Sequence, residues 1–166
     1  MADRVSATIT IGGALAQAKL PELLDEITAE GLATDWDGEP FTLDELPTDA
    51  PLRLMAHEVA WGRFEELEAF CVREALAFTR WSGAYSGQWG AERVVYTGTG
   101  EPHSYAANDE DEIVIDRAGV EQLGSFADVL AHFAAADVAI PPLTVLPGNL
   151  VRRASPNERG GSLRPS

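Results

Sequence analysis

Leu20–Ala33, LPELLDEITAEGLA, aligns without a gap on Phe64–Ala77, FEELEAFCVREALA, at a shift of 44 residues with five identities in fourteen. Slipping the register by one residue then pairs Trp36-Asp37-Gly38 with Trp81-Ser82-Gly83. An extended run precedes each copy, Val5–Ile11 in the first and Leu52–Trp61 in the second. Two amphipathic helices can look alike through shared apolar spacing alone, but the likeness here continues past the helix. The pattern reads as strand–helix–strand, twice. It predicts an α+β fold: a ferredoxin-like duplicated βαβ two-layer sandwich, extended by a C-terminal β-meander and one helix.

Residue patterns fill in the elements. Val5, Ala7, Ile9 and Ile11 alternate with Ser6, Thr8 and Thr10, the period of a half-buried strand, which Gly12-Gly13 is expected to end. The first helix, near 21–30, has Pro21 in its first turn, Leu20, Leu23, Leu24 and Ile27 at core spacing, and Gly31 as its stop. The second, near 64–75, buries Phe64, Leu67, Phe70 and Cys71 and carries Glu65 and Glu66 in its first turn. Residues 36–51 are turn-rich and acidic, expected to form a short strand or hairpin and a linker that crosses to the second unit. Glu92–Thr97, His103–Ala106 and Glu112–Asp116 read as the strands of the meander. Ser125-Phe126-Ala127-Asp128 reads as a capping box, opening a helix whose buried face is Phe126, Val129, Leu130 and Phe133. The proline-rich run from Ala139 to Pro147 is expected to lie extended.

Composition bounds what this fold can do. At 166 residues, 45% hydrophobic, the chain can bury one core, giving a single acidic domain over 1–147 and a disordered basic tail over 148–166. Net charge is −15, and Val151–Ser166 holds four Arg against one Glu, which leaves the body with eight basic and 26 acidic residues, a net −18. Such a surface repels phosphate backbones and anionic membranes, so neither direct nucleic-acid binding nor membrane binding is expected. A lone cysteine, Cys71, excludes an internal disulfide, and no apolar run is long enough for a membrane span; the chain reads as cytoplasmic. Acidic composition also serves solubility without any partner.

Motifs for chemistry are few. Gly98-Thr99-Gly100 opens like a dinucleotide fingerprint, but His103 stands where the third glycine belongs and a strand follows instead of a helix. Ser86 lacks the glycines of a nucleophile elbow. His57, His103 and His132 are scattered, and Cys71 lies on the apolar side of a helix as a core thiol. Asp109-Glu110-Asp111-Glu112 lacks calcium-loop spacing and reads as a solvated hairpin tip. Arg152-Arg153-Ala154-Ser155 has the form of a basic phosphorylation motif in the tail. No cofactor, metal or catalytic residue is expected.

The segment Trp81–Gly90, WSGAYSGQWG, is the exception. Three aromatics with three glycines and two serines resemble a recognition loop, since rigid rings give contact area at low entropic cost. The alternative is that Trp81 and Trp89 turn inward to cap the sheet. The expected function is a non-enzymatic interaction protein that docks its acidic surface and aromatic loop on a basic protein partner, with imitation of nucleic-acid charge as one form of this. The expected binding residues are Trp81, Tyr85, Trp89, Asp109 and Asp111, and self-association as a homodimer is compatible with the reading. A small-ligand domain with its pocket under the Trp81–Trp89 loop is the alternative, and an enzyme assembled from distant residues a third.

Overall fold

The structure is a computed structural model that describes residues 3–147. It is a mixed α+β fold of six strands and four helices among the described residues. In chain order these are β1 (Arg4–Ala16), α1 (Leu20–Glu30), β2 (Leu52–Ala60), α2 (Glu65–Arg73), β3 (Ala77–Ser82), β4 (Glu92–Tyr96), β5 (His103–Ala106), α3 (Arg117–Leu123), α4 (Phe126–Ala136) and β6 (Leu143–Leu146). The sheet order is β2-β1-β3-β4-β5, antiparallel throughout, and β6 adds in parallel to the far end of β1. The expectations for 148–166, including Arg152-Arg153-Ala154-Ser155, lie outside the described residues.

Cross-strand pairing fixes which side chains share a face. Ile9 pairs with Leu54 and Arg80, and Ile11 with Leu52 and Phe78, so these residues point to one side of the sheet. Leu23 and Ile27 of α1 and Leu67, Phe70 and Cys71 of α2 join them in one buried cluster. The two helices thus pack side by side on that face, tied by Arg73 of α2 to Glu22 of α1. Burial of side chains such as Leu23, Leu67 and Phe70 supplies roughly 1.5–3 kcal/mol each.

Helix ends repeat at the same 44-residue shift. Gly31 N–H donates to the Thr28 carbonyl and Leu32 N–H to that of Ile27; Ala75 N–H donates to Val72 and Leu76 N–H to Cys71. This is the Schellman arrangement, in which a left-handed residue reverses the chain and the next apolar residue folds back on the last turn. Gly31 and Ala75 take φ of 68° and 58°, and Leu32 and Leu76 are both buried.

Beyond the helices the copies diverge. As the βαββαβ reading expects, the strands at Val5–Ile11 and Leu52–Trp61 are adjacent and antiparallel, with both helices on one face; the short strand expected between α1 and β2 is reduced to a single bridge. The linker follows a path along the sheet edge instead. It leaves α1 with Ala33 bridged to Met55 near the middle of β2, and returns to Ala50, whose carbonyl accepts from Leu143 N–H beside the far end of β1. Having retraced part of the sheet, the chain enters β2 in the opposite direction. The second unit does close as strand–helix–strand: β2 and β3 run parallel on either side of β1, with α2 between them in sequence.

Four further expectations change. Gly12-Gly13 does not end β1, which continues to Ala16 because β6 takes over as its partner; a Cβ on Gly12 would sit 1.7 Å from the Pro141 carbonyl oxygen, and Gly13 N–H donates to Pro142. Of Glu112–Asp116 only an Ala107–Ile113 bridge remains, since Asp116 instead caps α3 by accepting from Gly119 N–H at 2.8 Å. The C-terminal part therefore holds two helices rather than one. Ser125 does accept from Asp128 N–H at 3.1 Å, but α4 buries Ala136 while Phe126 is 77% and Leu130 52% exposed. That helix meets the sheet through His132 against Tyr105 and through Arg93 on its last carbonyl, on the face opposite α1 and α2, which makes a partial third layer.

Candidate functional site

The helix-covered face is left open over β3 to β5, at the end of the sheet where β1 begins. An open groove of about 720 Å³ lies there, lined by Glu30, Ala60, Trp61, Arg63, Glu65, Trp89, Gly90 and Glu92. A smaller cavity of about 310 Å³ shares Arg63, Glu65 and Glu92 and continues over Glu68, Arg80 and Ser104.

The wall is aromatic. Trp61 follows the last residue of β2, is 53% exposed and has φ of 57°, in the left-handed region that a bulky side chain rarely enters. Its N–H donates to the Asp3 carbonyl, and Gly62 beside it packs so closely that a Cβ there would stand 2.6 Å from Ser82 Cβ. Trp89 meets Trp61 with ring centroids 5.8 Å apart and is backed by Tyr85, stacked at 5.1 Å. Tyr85 and Trp89 hold their loop through paired backbone hydrogen bonds. Tyr85 and Trp89, two of the expected binding residues, thus come together.

The other three stand elsewhere. Trp81 alternates with Arg80 along β3 and points to the opposite face, where its Nε1 donates to the Asn108 carbonyl at 2.9 Å. Asp109 accepts from Ala84 N–H at 3.4 Å. Asp111 pairs with Arg93 at 2.8 Å and supports the attachment of α4, whose Asp137 takes the same guanidinium. Trp61, Glu30 and Arg63 were not singled out in the sequence. A lone Trp after a strand, a single Glu in a helix turn and a single Arg in a loop carry no local pattern.

The floor is charged and closed. Arg80, with its side chain 3% exposed, donates to Glu68 at 2.9 Å, to Ser82 at 3.0 Å and to Glu92 at 3.3 Å. Glu68 also accepts from Phe64 N–H at the start of α2. Burial pushes the Glu92 carboxyl up, but the Ser104 hydroxyl, Arg80 and Arg63 overcome this and hold it below the usual range. Glu30 behaves in the opposite way. Burial and then Glu68, Glu26, Glu66 and Glu65 all push its carboxyl up, and it occupies the last turn of α1, where the helix dipole favours a cation.

Two clusters with catalytic residue types are weaker. Ser6 Oγ lies 3.2 Å from His57 Nδ1, and His57 Nε2 is 3.6 Å from Asp37. This has the residue order of a nucleophile, base and acid, but His57 and Asp37 are 53% and 97% exposed and the three residues line none of the groove. A solvated carboxylate at that distance does not fix an imidazole. Cys71 is fully buried, and burial raises its thiol far above the range of a nucleophile. No group of three or more potential metal ligands occurs among the described residues.

No protein-family model matches the chain, and no curated protein and no solved structure matches it either. Among the described residues no helix is long and apolar enough to cross a membrane.

Proposed function

We propose that this is a non-enzymatic interaction protein that docks on a basic protein partner through the groove end of its sheet. One observation carries the reading: half-exposed Trp61 and its neighbour Trp89 line one groove with Glu30, Glu65 and Glu92 against the single cation Arg63, so aromatic area and an excess of negative charge share one concave surface. Aromatic anchors inside a charged rim are the usual composition of a protein interface. The body charge of −18 steers a cationic partner toward it. Imitation of a nucleic acid is the specific form of this in which the partner's cationic groove normally holds phosphates. The likeness of α1 and α2 is read as duplication of a strand–helix unit whose third element diverged.

The test is affinity capture at low and high salt, followed by cross-linking to map the contact. A basic protein retained only at low salt and cross-linked near Trp61, Glu65 or Trp89 supports the reading. Contacts confined to α3 and α4, or retention indifferent to salt, count against it. Displacement of that partner by a duplex oligonucleotide separates charge imitation from simple docking.

A second reading rests on the groove's volume, which falls within the 300–1,000 Å³ range of small-molecule sites. A thermal-shift screen that finds a neutral compound stabilising the wild type and not Trp89→Ala would favour it.

A further inference from the structure

We infer that the groove between Trp61, Trp89 and Glu30 receives an arginine side chain of the partner, with its guanidinium against the exposed Trp61 ring and its N–H groups directed to Glu30 and Glu65. The inference rests on the docking reading and specifies its ligand chemistry.

Two features of the groove, and the way they match one ligand, ask for this group. The first is charge. Each neighbour that shifts Glu30 is a carboxylate: Glu68, Glu26, Glu66 and Glu65. Arg63 lines the same groove and acts on Glu92, and set against Glu30, Glu65 and Glu92 it leaves the lining with an excess of negative charge. Glu30 stands on the turn of α1 where none of the last residues is basic. A helix end of this kind gains stability from an incoming positive charge.

The second is the wall. Trp61 is kept half exposed at a left-handed φ, with Glu58 (φ 53°) and Gly62 (φ 67°) also in that region. Tertiary packing holds the turn in place, since Gly62 abuts Ser82 and Val5. Trp89 is braced between Trp61 and Tyr85. The backbone under Trp61 is held by packing and the rings support one another, which lowers the entropic cost of binding.

One ligand matches both. A guanidinium is planar, weakly hydrated and always charged; it stacks on indole faces and forks onto carboxylates. An ammonium can satisfy the carboxylates but stacks poorly. An anion is repelled by Glu30 and Glu65, and a neutral aromatic leaves their charge unrelieved.

The full chain is titrated with Nα-acetyl-arginine amide, Nα-acetyl-lysine amide and Nα-acetyl-citrulline amide, following the indole N–H signals of Trp61 and Trp89, assigned with Trp61→Phe and Trp89→Phe. The arginine probe is expected to saturate and to move both signals, with the lysine probe weaker and citrulline, its neutral isostere, weaker by roughly tenfold or more. Glu30→Gln with Glu65→Gln, folded by its melting curve, should weaken the arginine probe by a similar factor and leave citrulline unaffected. Equal binding of arginine and citrulline, an unchanged arginine affinity in the double variant, or no movement of the two indoles overturns the inference. If the arginine probe fails while a salt-sensitive basic partner still binds, the groove assignment falls and docking stands. If the probe saturates and no basic partner is captured, docking falls and the guanidinium site stands.

Discussion

Glu68 of α2 and Arg80 of β3 form a buried ion pair at 2.9 Å, beneath the groove, with side chains 16% and 3% exposed. One carboxylate oxygen of Glu68 takes both the guanidinium and the Phe64 N–H, so the pair ties the start of α2 to the middle of the sheet. Glu92 and Ser82 complete the guanidinium's partners.

Removing one partner from such a pair leaves the other uncompensated. Arg80→Leu is expected to destabilise the protein by about 3–5 kcal/mol in urea unfolding. The double variant Arg80→Leu with Glu68→Leu should recover part of that loss, because two apolar side chains replace two desolvated charges. A loss under about 1 kcal/mol in the single variant would mean the pair is solvated.

The matched helix ends give a second test. Gly31 and Ala75 hold the same left-handed position 44 residues apart, and only glycine does so without a Cβ penalty of about 1–2 kcal/mol. Ala75→Gly should therefore raise the unfolding free energy by about 0.5–1 kcal/mol, and Gly31→Ala should lower it by about 1 kcal/mol. Opposite signs at the two positions are the signature; equal signs would contradict the equivalence.

Glu30 sets a pH dependence. Its folded pKa is raised, so its contribution is present below the ordinary value of 4.5 and is lost as pH climbs through the raised folded value. Burial and then repulsion from Glu68, Glu26, Glu66 and Glu65 are the causes. Glu92, lowered, works in reverse and loses its stabilisation as pH falls through its folded pKa. Glu30→Gln should thus raise the Tm at neutral pH and leave it nearly unchanged at about pH 4, measured by calorimetry. A gain of the same size at both would assign it to helix propensity instead.

How much of this was legible depended on how local the signal was. Alternation in Val5–Ile11, the Leu23/Ile27 and Leu67/Phe70 stripes and Gly31 are short-range patterns, and the corresponding elements formed. The stop expected at Gly12-Gly13 failed because glycine also marks a close approach: the Pro141 carbonyl sits where a side chain would be. α4 carries an apolar stripe that periodicity places inward, yet Phe126 and Leu130 face outward, and none of the described residues covers them. Tyr85 and Trp89 were legible as a loop of rings. Their meeting with Trp61 and Glu30 depends on the path of the 31–51 linker and on β2 running antiparallel to β1, which no local window encodes.

The most direct test of the docking account is the Kd of the captured basic partner for Trp61→Ala against wild type, with the Tm of each free protein measured alongside. Trp61 is half exposed, so truncation should shift the Tm little, while losing an anchor ring should weaken binding by about 2 kcal/mol, roughly thirtyfold. A Kd unchanged within about twofold in a folded Trp61→Ala protein would contradict the account and place the interface away from the groove.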